Sequence, residues 1–279
     1  MRSAARVRRT HRLWIAVIDE TQMRPVRTIE VVRDQEALAV AVAEQVVAQA
    51  QEALAARGRF LLALAGGSTP RAAYAVLAKP AMASRIDWTR THIIWSDERC
   101  VPPDDPRSNF HMTREALLDK VEVAPRNWHR IHGEEDPRRA AEAYERYLRE
   151  LLQRTGLGGL PSRRLDLVLL GMGVDGHTAS LFPGSKAVRE SVKWVVAEYV
   201  EAVAMWRITL TPLVINDARS VSIVVSGIEK ADRVAEVLEG PQLPNQLPAQ
   251  TIAPVRGQLT WLLDGPAASR LGTGREAVE

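Results

Sequence analysis

The sequence predicts an α/β fold with a doubly wound, mostly parallel sheet flanked by helices. From Thr28 onward, short apolar runs alternate with helical patterns, which is typical of βαβ units. Two of these runs, Arg59–Ala65 and Leu165–Leu170, are almost continuously apolar, as expected of strands buried on both faces. The composition, 46% hydrophobic and 25% charged, excludes a disordered, collagenous or coiled-coil chain. Together these observations predict a single Rossmann-like domain.

The first predicted elements are a strand, a long helix and a buried strand. Thr28–Val32 is the first strand, and Asp34 is a suitable N-cap for a helix over Glu36–Arg57. Gly58 ends this helix, and the apolar strand Arg59–Ala65 follows it.

The remaining elements continue the alternation over residues 28–279, which we expect to form one domain. Pro70 fits the first turn of a helix that reaches Leu77. The later elements are predicted in this order: strand Thr91–Trp95, helices Phe110–Leu118 and Arg138–Leu152, strands Leu165–Leu170, Lys193–Tyr199, Trp206–Leu210 and Ser220–Val225, helix Glu229–Leu238 and strand Leu259–Leu263. Residues 240–248 are rich in proline and read as a surface loop.

Positive charge is concentrated in residues 1–27. This segment holds seven Arg and two acidic residues, a net charge of +5, whereas the whole chain carries +3 and residues 28–279 therefore −2. Because the body of the chain is not basic, we expect no nucleic-acid partner. We interpret residues 1–27 as a disordered Arg-rich extension, or as a start assigned too far upstream with Met23 as the true initiator. A transit-like segment is a further alternative.

The sequence also predicts a cytoplasmic protein without membrane contact, as a monomer or small homo-oligomer. No apolar run approaches the ~18 residues of a membrane span. The apolar stretch Leu13–Ile18 is too short for a secretory signal and is followed by acidic residues. Cys100 is the single cysteine, so an internal disulfide and a multi-thiolate metal site are excluded.

Three polar clusters directly follow predicted strands, at residues 66–70, in the polar, proline-rich loop 96–109 and at residues 171–177. In open α/β sheets, ligands bind at the carboxyl ends of the strands, where the following loops converge. The sequence therefore predicts a functional site at this edge of the sheet.

The first cluster joins a buried strand to a helix. Gly66 and Gly67 permit close backbone approach, and the amides and hydroxyls of Ser68 and Thr69 can face an anion. These features predict a phosphate cradle, but an ordinary turn in which Ser68 or Thr69 caps the helix fits the spacing equally well. The cluster is not a P-loop, because no Lys-Ser/Thr pair follows at the required spacing.

The third cluster contains an ionisable pair, Asp175 and His177. Glycines in residues 171–176 have dinucleotide-fingerprint spacing, but Pro183 would interrupt the helix that such a motif opens. We interpret His177 as a general base and Asp175 as the carboxylate that orients it or stabilises its charge. The alternative is a surface histidine in a flexible loop. One His and one Asp are too few to hold a metal, so no metal is expected.

Charged side chains elsewhere are further candidates. Asp97 and Arg99 follow the strand Thr91–Trp95, and Arg99 could bind an oxyanion or phosphate through two N–H groups. Lys230 follows another predicted strand and is a second candidate anion contact. The alternatives are a local salt bridge for Arg99 and a solvated helix position for Lys230.

Four blocks of the sequence resemble the 6-phosphogluconolactonase family, within the wider glucosamine-6-phosphate isomerase and deaminase group. They are LALAGGSTPRAAY (62–74), WSDERCVPPDDPRSNF (95–110), LDLVLLGMGVDGHTASLFPGS (165–185) and RITLTPLVINDARSVSIVVSGIEKA (207–231). The deaminases instead carry a Gly-His-Ile-Ala-Phe-Asn-Glu-Pro run, with a working glutamate where this chain has Phe182. Arg107 replaces an acid that is common in the family, and we expect it not to touch the site.

The resemblance implies hydrolysis of 6-phospho-D-glucono-1,5-lactone to 6-phosphogluconate in the oxidative pentose phosphate pathway, without a cofactor. The expected roles are phosphate binding by Gly66, Gly67, Ser68, Thr69, Lys230 and Arg207, proton transfer by His177, orientation of either His177 or the sugar by Asp175, sugar binding by Asp97, and stabilisation of the carbonyl oxygen or product carboxylate by Arg99. The alternatives are a deaminase or isomerase of the same group, which Phe182 disfavours, and a non-catalytic sugar-phosphate-binding protein.

Overall fold

The computed structural model describes residues 13–17, 27–154 and 164–272. Its strands are β1 (Leu13–Val17), β2 (Arg27–Val32), β3 (Phe60–Leu64), β4 (Thr91–Trp95), β5 (Asp97–Arg99), β6 (Trp128–His129), β7 (Leu167–Gly171), β8 (Val195–Val200), β9 (Met205–Leu210), β10 (Ser220–Val225) and β11 (Gln258–Asp264). Its α-helices are α1 (Gln35–Arg57), α2 (Ser68–Leu77), α3 (Pro80–Ala83), α4 (Asn109–Ala116), α5 (Pro137–Arg154), α6 (Pro212–Ile215), α7 (Ala231–Glu239) and α8 (Gly265–Ala268). Each strand and helix predicted from residue 28 onward has a counterpart whose ends differ by at most two residues.

The main sheet has eight strands in the order β1-β2-β11-β10-β7-β3-β4-β6. The seven strands from β2 to β6 in this order are parallel, and β1 pairs antiparallel with β2. The predicted α/β fold with a mostly parallel sheet is therefore confirmed.

The chain reverses direction across the sheet between β3 and β7. From β3 it proceeds outward through β4 to β6, and it then returns to β7 on the other side of β3 and continues to β10 and β11. Such a reversal is a topological switch point, where the loops after two neighbouring strands diverge and leave a crevice. The loops after β3 and β7 contain two of the three predicted polar clusters.

Local signals and burial explain the elements that support this crevice. All residues of β3 and β10 are buried, in agreement with their apolar sequences. The Asp34 side chain accepts a hydrogen bond from the Ala37 amide at the start of α1, and Gly58 closes that helix with φ 73°.

A second, three-stranded antiparallel sheet has the order β5-β9-β8. The sequence analysis predicted β8 and β9, but it assigned residues 97–99 to a loop, and this assignment is wrong. The strand β5 is only three residues long and entirely charged, so alternation of polar and apolar residues could not reveal it. Its pairing places Arg99 opposite Arg207.

Within the N-terminal extension, the structure describes β1 and Arg27, the first residue of β2; the sequence analysis did not predict β1. The other residues of this segment lie outside the described ranges, so the predicted extension or misassigned start stays a prediction. Among the described helices, none is long and apolar enough to cross a bilayer. The cytoplasmic location and the oligomeric state also stay predictions.

Candidate active site

A cavity of about 260 Å³ lies at the carboxyl ends of the parallel strands, at the switch point. Nine of the ten predicted site residues line it: Gly66, Gly67, Ser68, Thr69, Asp97, Arg99, His177, Arg207 and Lys230. The tenth, Asp175, contacts His177. The parallel strands therefore bring segments that are distant in sequence to one site, as the sequence analysis predicted.

The predicted phosphate cradle forms the turn from β3 into α2. Gly67 is the N-cap of α2 at φ 106°, a left-handed conformation that favours glycine. No side chain caps this helix, so the alternative in which Ser68 or Thr69 is the cap does not hold. The buried Tyr74 hydroxyl contacts both the amide and the carbonyl of Ala65 at 2.9 Å, which fixes the end of β3. The first amides of α2 thus border the cavity at the positive end of the helix dipole.

Besides the turn into α2, the cavity is lined by His177, which pairs with Asp175. The His177 Nδ1 atom lies 2.5 Å from Asp175 Oδ1, and the His177 amide donates to the same oxygen at 3.1 Å. Burial opposes ionisation of Asp175, but the hydrogen bond and charge of His177 prevail and lower the pKa of Asp175. The carboxylate therefore favours the tautomer with the proton on Nδ1, which leaves Nε2 able to accept a proton.

The orientation of the His177 ring is further restricted by its neighbours. The Phe182 ring stacks on it with centroids 4.2 Å apart and planes inclined by 25°. A Cβ atom on Gly173 would lie 2.2 Å from Nδ1, so only glycine leaves room for the ring there. Gly176 closes the turn at φ 83°. These contacts hold the imidazole beside the cavity.

Two arginines form the cationic side of the cavity. Arg99 and Arg207 are cross-strand partners in β5 and β9. The Nε atoms of both side chains are buried without a hydrogen-bond partner among the described residues. Burial, and then repulsion from Arg99, lower the pKa of Arg207, whereas Asp97 and Glu98 oppose this effect. Two adjacent guanidinium groups are suited to bind a phosphate or another oxyanion.

The Arg99 side chain is anchored by Arg107. Its Nη1 donates to the Arg107 carbonyl at 2.7 Å, so the expectation that Arg107 does not touch the site is wrong for its backbone. The Arg107 side chain instead pairs with Asp105 at 2.7 Å. Only the backbone carbonyl of Arg107 therefore helps to position Arg99.

Lys230 lies just after the turn that ends β10. Burial lowers the pKa of Lys230, although Glu229 and Asp264 act in the opposite direction. Asp264 also fixes this turn, because it accepts hydrogen bonds from the Ser226 hydroxyl at 2.5 Å and the Gly227 amide at 3.1 Å. Lys230 therefore follows a fixed turn and lines the cavity.

The sequence analysis missed two polar residues that hold Asp97. Asn109 Nδ2 donates to Asp97 Oδ1 at 3.2 Å, and the Ser180 hydroxyl donates to Asp97 Oδ2 at 2.7 Å. Both lie in family-like blocks, which is the signal that could have identified them. With both oxygens engaged, the carboxylate has a fixed direction, and each oxygen retains a lone pair for a ligand hydroxyl.

Glu98, which lies behind the cavity, organises the segment between β5 and α4. Its carboxylate accepts hydrogen bonds from the amides of Arg99, Asn109 and Phe110 and from the Ser108 hydroxyl. Burial raises the pKa of Glu98, and the three amide hydrogen bonds oppose that rise. This side chain shapes the backbone from which Arg99 and Asn109 reach the site.

The fold and the cavity define a class of α/β protein in which one switch-point crevice combines an anion-binding end with an Asp–His pair. Among the described residues, no group of three or more His, Cys, Asp or Glu side chains is arranged to hold a metal ion.

Comparisons with known proteins identify the family. The model of the glucosamine-6-phosphate isomerases/6-phosphogluconolactonase family matches residues 33–261. A 6-phosphogluconolactonase from Nostoc sp. is 37% identical over 246 residues, which are 88% of this chain and 98% of the relative. A solved 6-phosphogluconolactonase from Trypanosoma cruzi has a TM-score of 0.75 and 27% identity, covering 88% of this chain and 96% of its own. The chain therefore belongs to this family, as its sequence blocks predicted.

A solved monomeric glucosamine-6-phosphate deaminase is also similar, with a TM-score of 0.72 over 87% of this chain and 99% of its own. Its identity is 22%, so this likeness shows the shared fold alone. Fold by itself does not separate the activities within the group.

Proposed function

We propose that this protein is a 6-phosphogluconolactonase, which hydrolyses 6-phospho-D-glucono-1,5-lactone to 6-phospho-D-gluconate in the oxidative pentose phosphate pathway. The observation that carries the proposal is the Asp175–His177 pair in the same cavity as Arg99, Arg207 and Lys230. Such a cavity suits a substrate that has a phosphate at one end and an electrophilic carbonyl carbon at the other.

In the proposed reaction, His177 Nε2 removes a proton from water, and the water oxygen attacks the lactone carbonyl carbon. Asp175 stabilises the resulting imidazolium. Arg99 faces the oxygen on which negative charge develops, so this charge is stabilised more in the transition state than in the substrate. When the tetrahedral intermediate collapses, the bond to the ring oxygen breaks, and the imidazolium returns the proton to that oxygen. The carboxylic acid then loses its proton.

The substrate is held at two further places in this proposal. The phosphate contacts the backbone of Gly66 and Gly67, the hydroxyls of Ser68 and Thr69, and the side chains of Lys230 and Arg207. Asp97 accepts hydrogen bonds from sugar hydroxyls through its remaining lone pairs. No step needs a cofactor.

Deaminase or isomerase activity is the second candidate, and the stack of Phe182 on His177 argues against it. The position that holds a working glutamate in deaminases is here an apolar ring, which can neither donate nor accept a proton. A sugar-phosphate-binding protein without activity is the third candidate, and for it the Asp175–His177 pair would have no purpose.

The decisive experiment measures hydrolysis of freshly prepared 6-phosphogluconolactone above its spontaneous opening. His177→Ala should lower turnover by at least ~10²-fold, the contribution of a lost general base, while 6-phosphogluconate still binds. His132→Ala is the matched control, because His132 is 52% exposed and pairs with glutamates outside the cavity.

Unchanged turnover in His177→Ala would remove His177 from the mechanism. If folded wild-type protein does not accelerate the reaction at all, the lactonase proposal is wrong. Turnover of glucosamine 6-phosphate would then support the second candidate, and binding without turnover would support the third.

A further inference from the structure

A second basic cluster lies at the opposite edge of the main sheet from the cavity. This arginine cluster consists of Arg57, Arg59, Arg164, Arg219 and Arg256. Arg57 ends α1, and the others shortly precede β3, β7, β10 and β11. Because these strands are parallel, their amino ends share one edge, whereas the active-site loops follow their carboxyl ends. The cluster and the cavity are therefore separated by the length of the strands.

The arginine cluster contains more positive than negative charge. Asp166 Oδ1 accepts a hydrogen bond from Arg57 Nε at 2.8 Å, and Arg219 Nε lies 3.6 Å from the same oxygen. The other oxygen of Asp166 accepts from the Leu61 amide at 2.8 Å. Asp217 pairs with Arg256 at 3.1 Å and lies 3.8 Å from Arg164. Five guanidinium groups thus share two carboxylates, in a chain whose body is slightly acidic overall.

Arg59 is the member of the cluster that lacks partners. Its residue is 7% exposed, and its three guanidinium nitrogens have no hydrogen-bond partner among the described residues. The Nε atom of Arg219 is likewise buried and has no hydrogen-bond partner in that part of the chain, although it lies within ion-pair distance of Asp166. Burial lowers the pKa of Arg59 to about 10, opposed by Asp166 and assisted by Arg57 and Arg219, so the group still carries its charge at neutral pH.

A buried cation without hydrogen bonds is unfavourable unless an anion compensates it. The Asp166 oxygens already accept from Arg57 and from the Leu61 amide. The Arg219 side chain is 36% exposed, so the cluster reaches solvent on that side. The unpartnered nitrogens of Arg59 and Arg219 are themselves buried, so an anion that enters beside the exposed part of Arg219 would reach them only after these side chains shift.

We propose that the arginine cluster is a second anion site, which binds a compact oxyanion, inorganic phosphate or the phosphate of a small phosphomonoester, between Arg59 and Arg219. Guanidinium groups present N–H donors in a planar fork that matches the oxygen atoms of a phosphate. A bound phosphate would accept the hydrogen bonds of Arg59 and Arg219 that Asp166 does not accept. It would also link the amino ends of β3, β7 and β10. The site is independent of the proposed lactonase activity.

The test is isothermal titration of the full chain with inorganic phosphate, with potassium chloride of equal ionic strength as control. We expect two phosphate sites in the wild type. Lys230→Ala should weaken only the active-site phase, and Arg59→Met should weaken the other phase at least ~10-fold, as expected for lost charge-assisted hydrogen bonds. Lactonase turnover of Arg59→Met should stay unchanged, because Arg59 lies outside the cavity.

Thermal unfolding provides the second measurement. In the Lys230→Ala background, where active-site binding is weakened, phosphate should still raise the melting temperature, and the further substitution Arg59→Met should reduce this rise, since a ligand stabilises only the state that binds it. Arg219→Gln, changed at the more exposed member, should give the same loss if Arg59→Met fails to fold. Glycerol phosphate in place of inorganic phosphate distinguishes the two sources of the oxyanion.

Two results would overturn the proposal. One is a single phosphate site that Lys230→Ala abolishes. The other is a phosphate-dependent rise in the melting temperature of Lys230→Ala that neither Arg59→Met nor Arg219→Gln reduces. In phosphate-free buffer, Arg59→Met should be at least as stable as the wild type, because it removes an uncompensated buried charge.

Discussion

Replacement of Gly66 by alanine tests whether a change in the predicted phosphate cradle displaces Asp97 through Asn109. A Cβ atom at this position would lie 1.9 Å from Asn109 Oδ1 and 2.4 Å from its Cγ, so Asn109 must move. Asn109 is 1% exposed, and its Nδ2 donates to the Asp97 carbonyl at 2.9 Å and to the Asp97 carboxylate at 3.2 Å. The substitution should therefore release Asp97 without touching it.

The magnitude follows from the contacts that are lost. Two hydrogen bonds contribute about 1 kcal/mol each, and forcing an extra methyl group into a packed site costs about 1–3 kcal/mol. Alanine restricts the unfolded chain more than glycine does, which stabilises the folded state by about 0.4–1 kcal/mol and partly offsets this cost. We expect Gly66→Ala to lower the free energy of unfolding by roughly 2–4 kcal/mol and to weaken 6-phosphogluconate binding. Gly171→Ala is the matched control, because Gly171 also lines the cavity but a Cβ there meets no atom within 4 Å.

A double-mutant cycle measured by urea unfolding isolates the clash. In the Asn109→Ala background the obstructing side chain is absent, so Gly66→Ala should cost less than about 1 kcal/mol. If Gly66→Ala is as harmless as Gly171→Ala, or if its cost is the same in both backgrounds, the proposed connection between Gly66 and Asp97 through Asn109 is refuted.

Two further predictions concern Lys230 and Phe182. Burial lowers the pKa of Lys230 below the ordinary 10.5, so 6-phosphogluconate affinity should fall as pH rises through this lowered value. Lys230→Arg stays charged, so over that pH range it should bind 6-phosphogluconate about tenfold or more tightly than the wild type. Identical pH profiles of the two proteins would contradict this account. Phe182→Leu removes the stack on His177, worth about 0.5–1.5 kcal/mol, and should lower kcat roughly 2- to 10-fold at nearly constant KM. Phe182→Tyr should restore kcat, whereas an effect confined to KM would show that Phe182 only lines the cavity.

The parts of the fold that could be predicted are those whose signals are local in the sequence. Asp34 and Gly58 fix the ends of α1 through short-range backbone geometry, and the apolar run of β3 predicts burial on both faces. The convergence of three loops also followed from the sequence, because parallel strands place all their carboxyl ends at one edge. None of these inferences needs a contact between distant residues.

The parts that could not be predicted depend on long-range pairing. The register that sets Arg99 opposite Arg207 joins segments more than a hundred residues apart, and the three charged residues of β5 carry no strand pattern. The roles of Asn109 and Ser180 likewise exist only through their contacts with Asp97, 12 and 83 residues away. Uncharged polar side chains of this kind have no signature of function before the fold brings them together.

The distribution of acidic groups explains how the cavity keeps its cations available for a ligand. Arg99 and Arg207 repel each other, and Glu98 and Asp97 reduce this repulsion, since both raise the pKa of Arg207 against burial. Glu98, however, lies behind the cavity and directs its oxygens to backbone amides and to Ser108, so it does not form an ion pair that would occupy either guanidinium. An acidic side chain in direct contact with both arginines would have stabilised the empty site and competed with a phosphate. Because Glu98 offsets the repulsion without pairing with either guanidinium, the cationic side costs less free energy while the Nε–H groups of both arginines keep no hydrogen-bond partner among the described residues, and the Asp175 carboxylate pairs with His177.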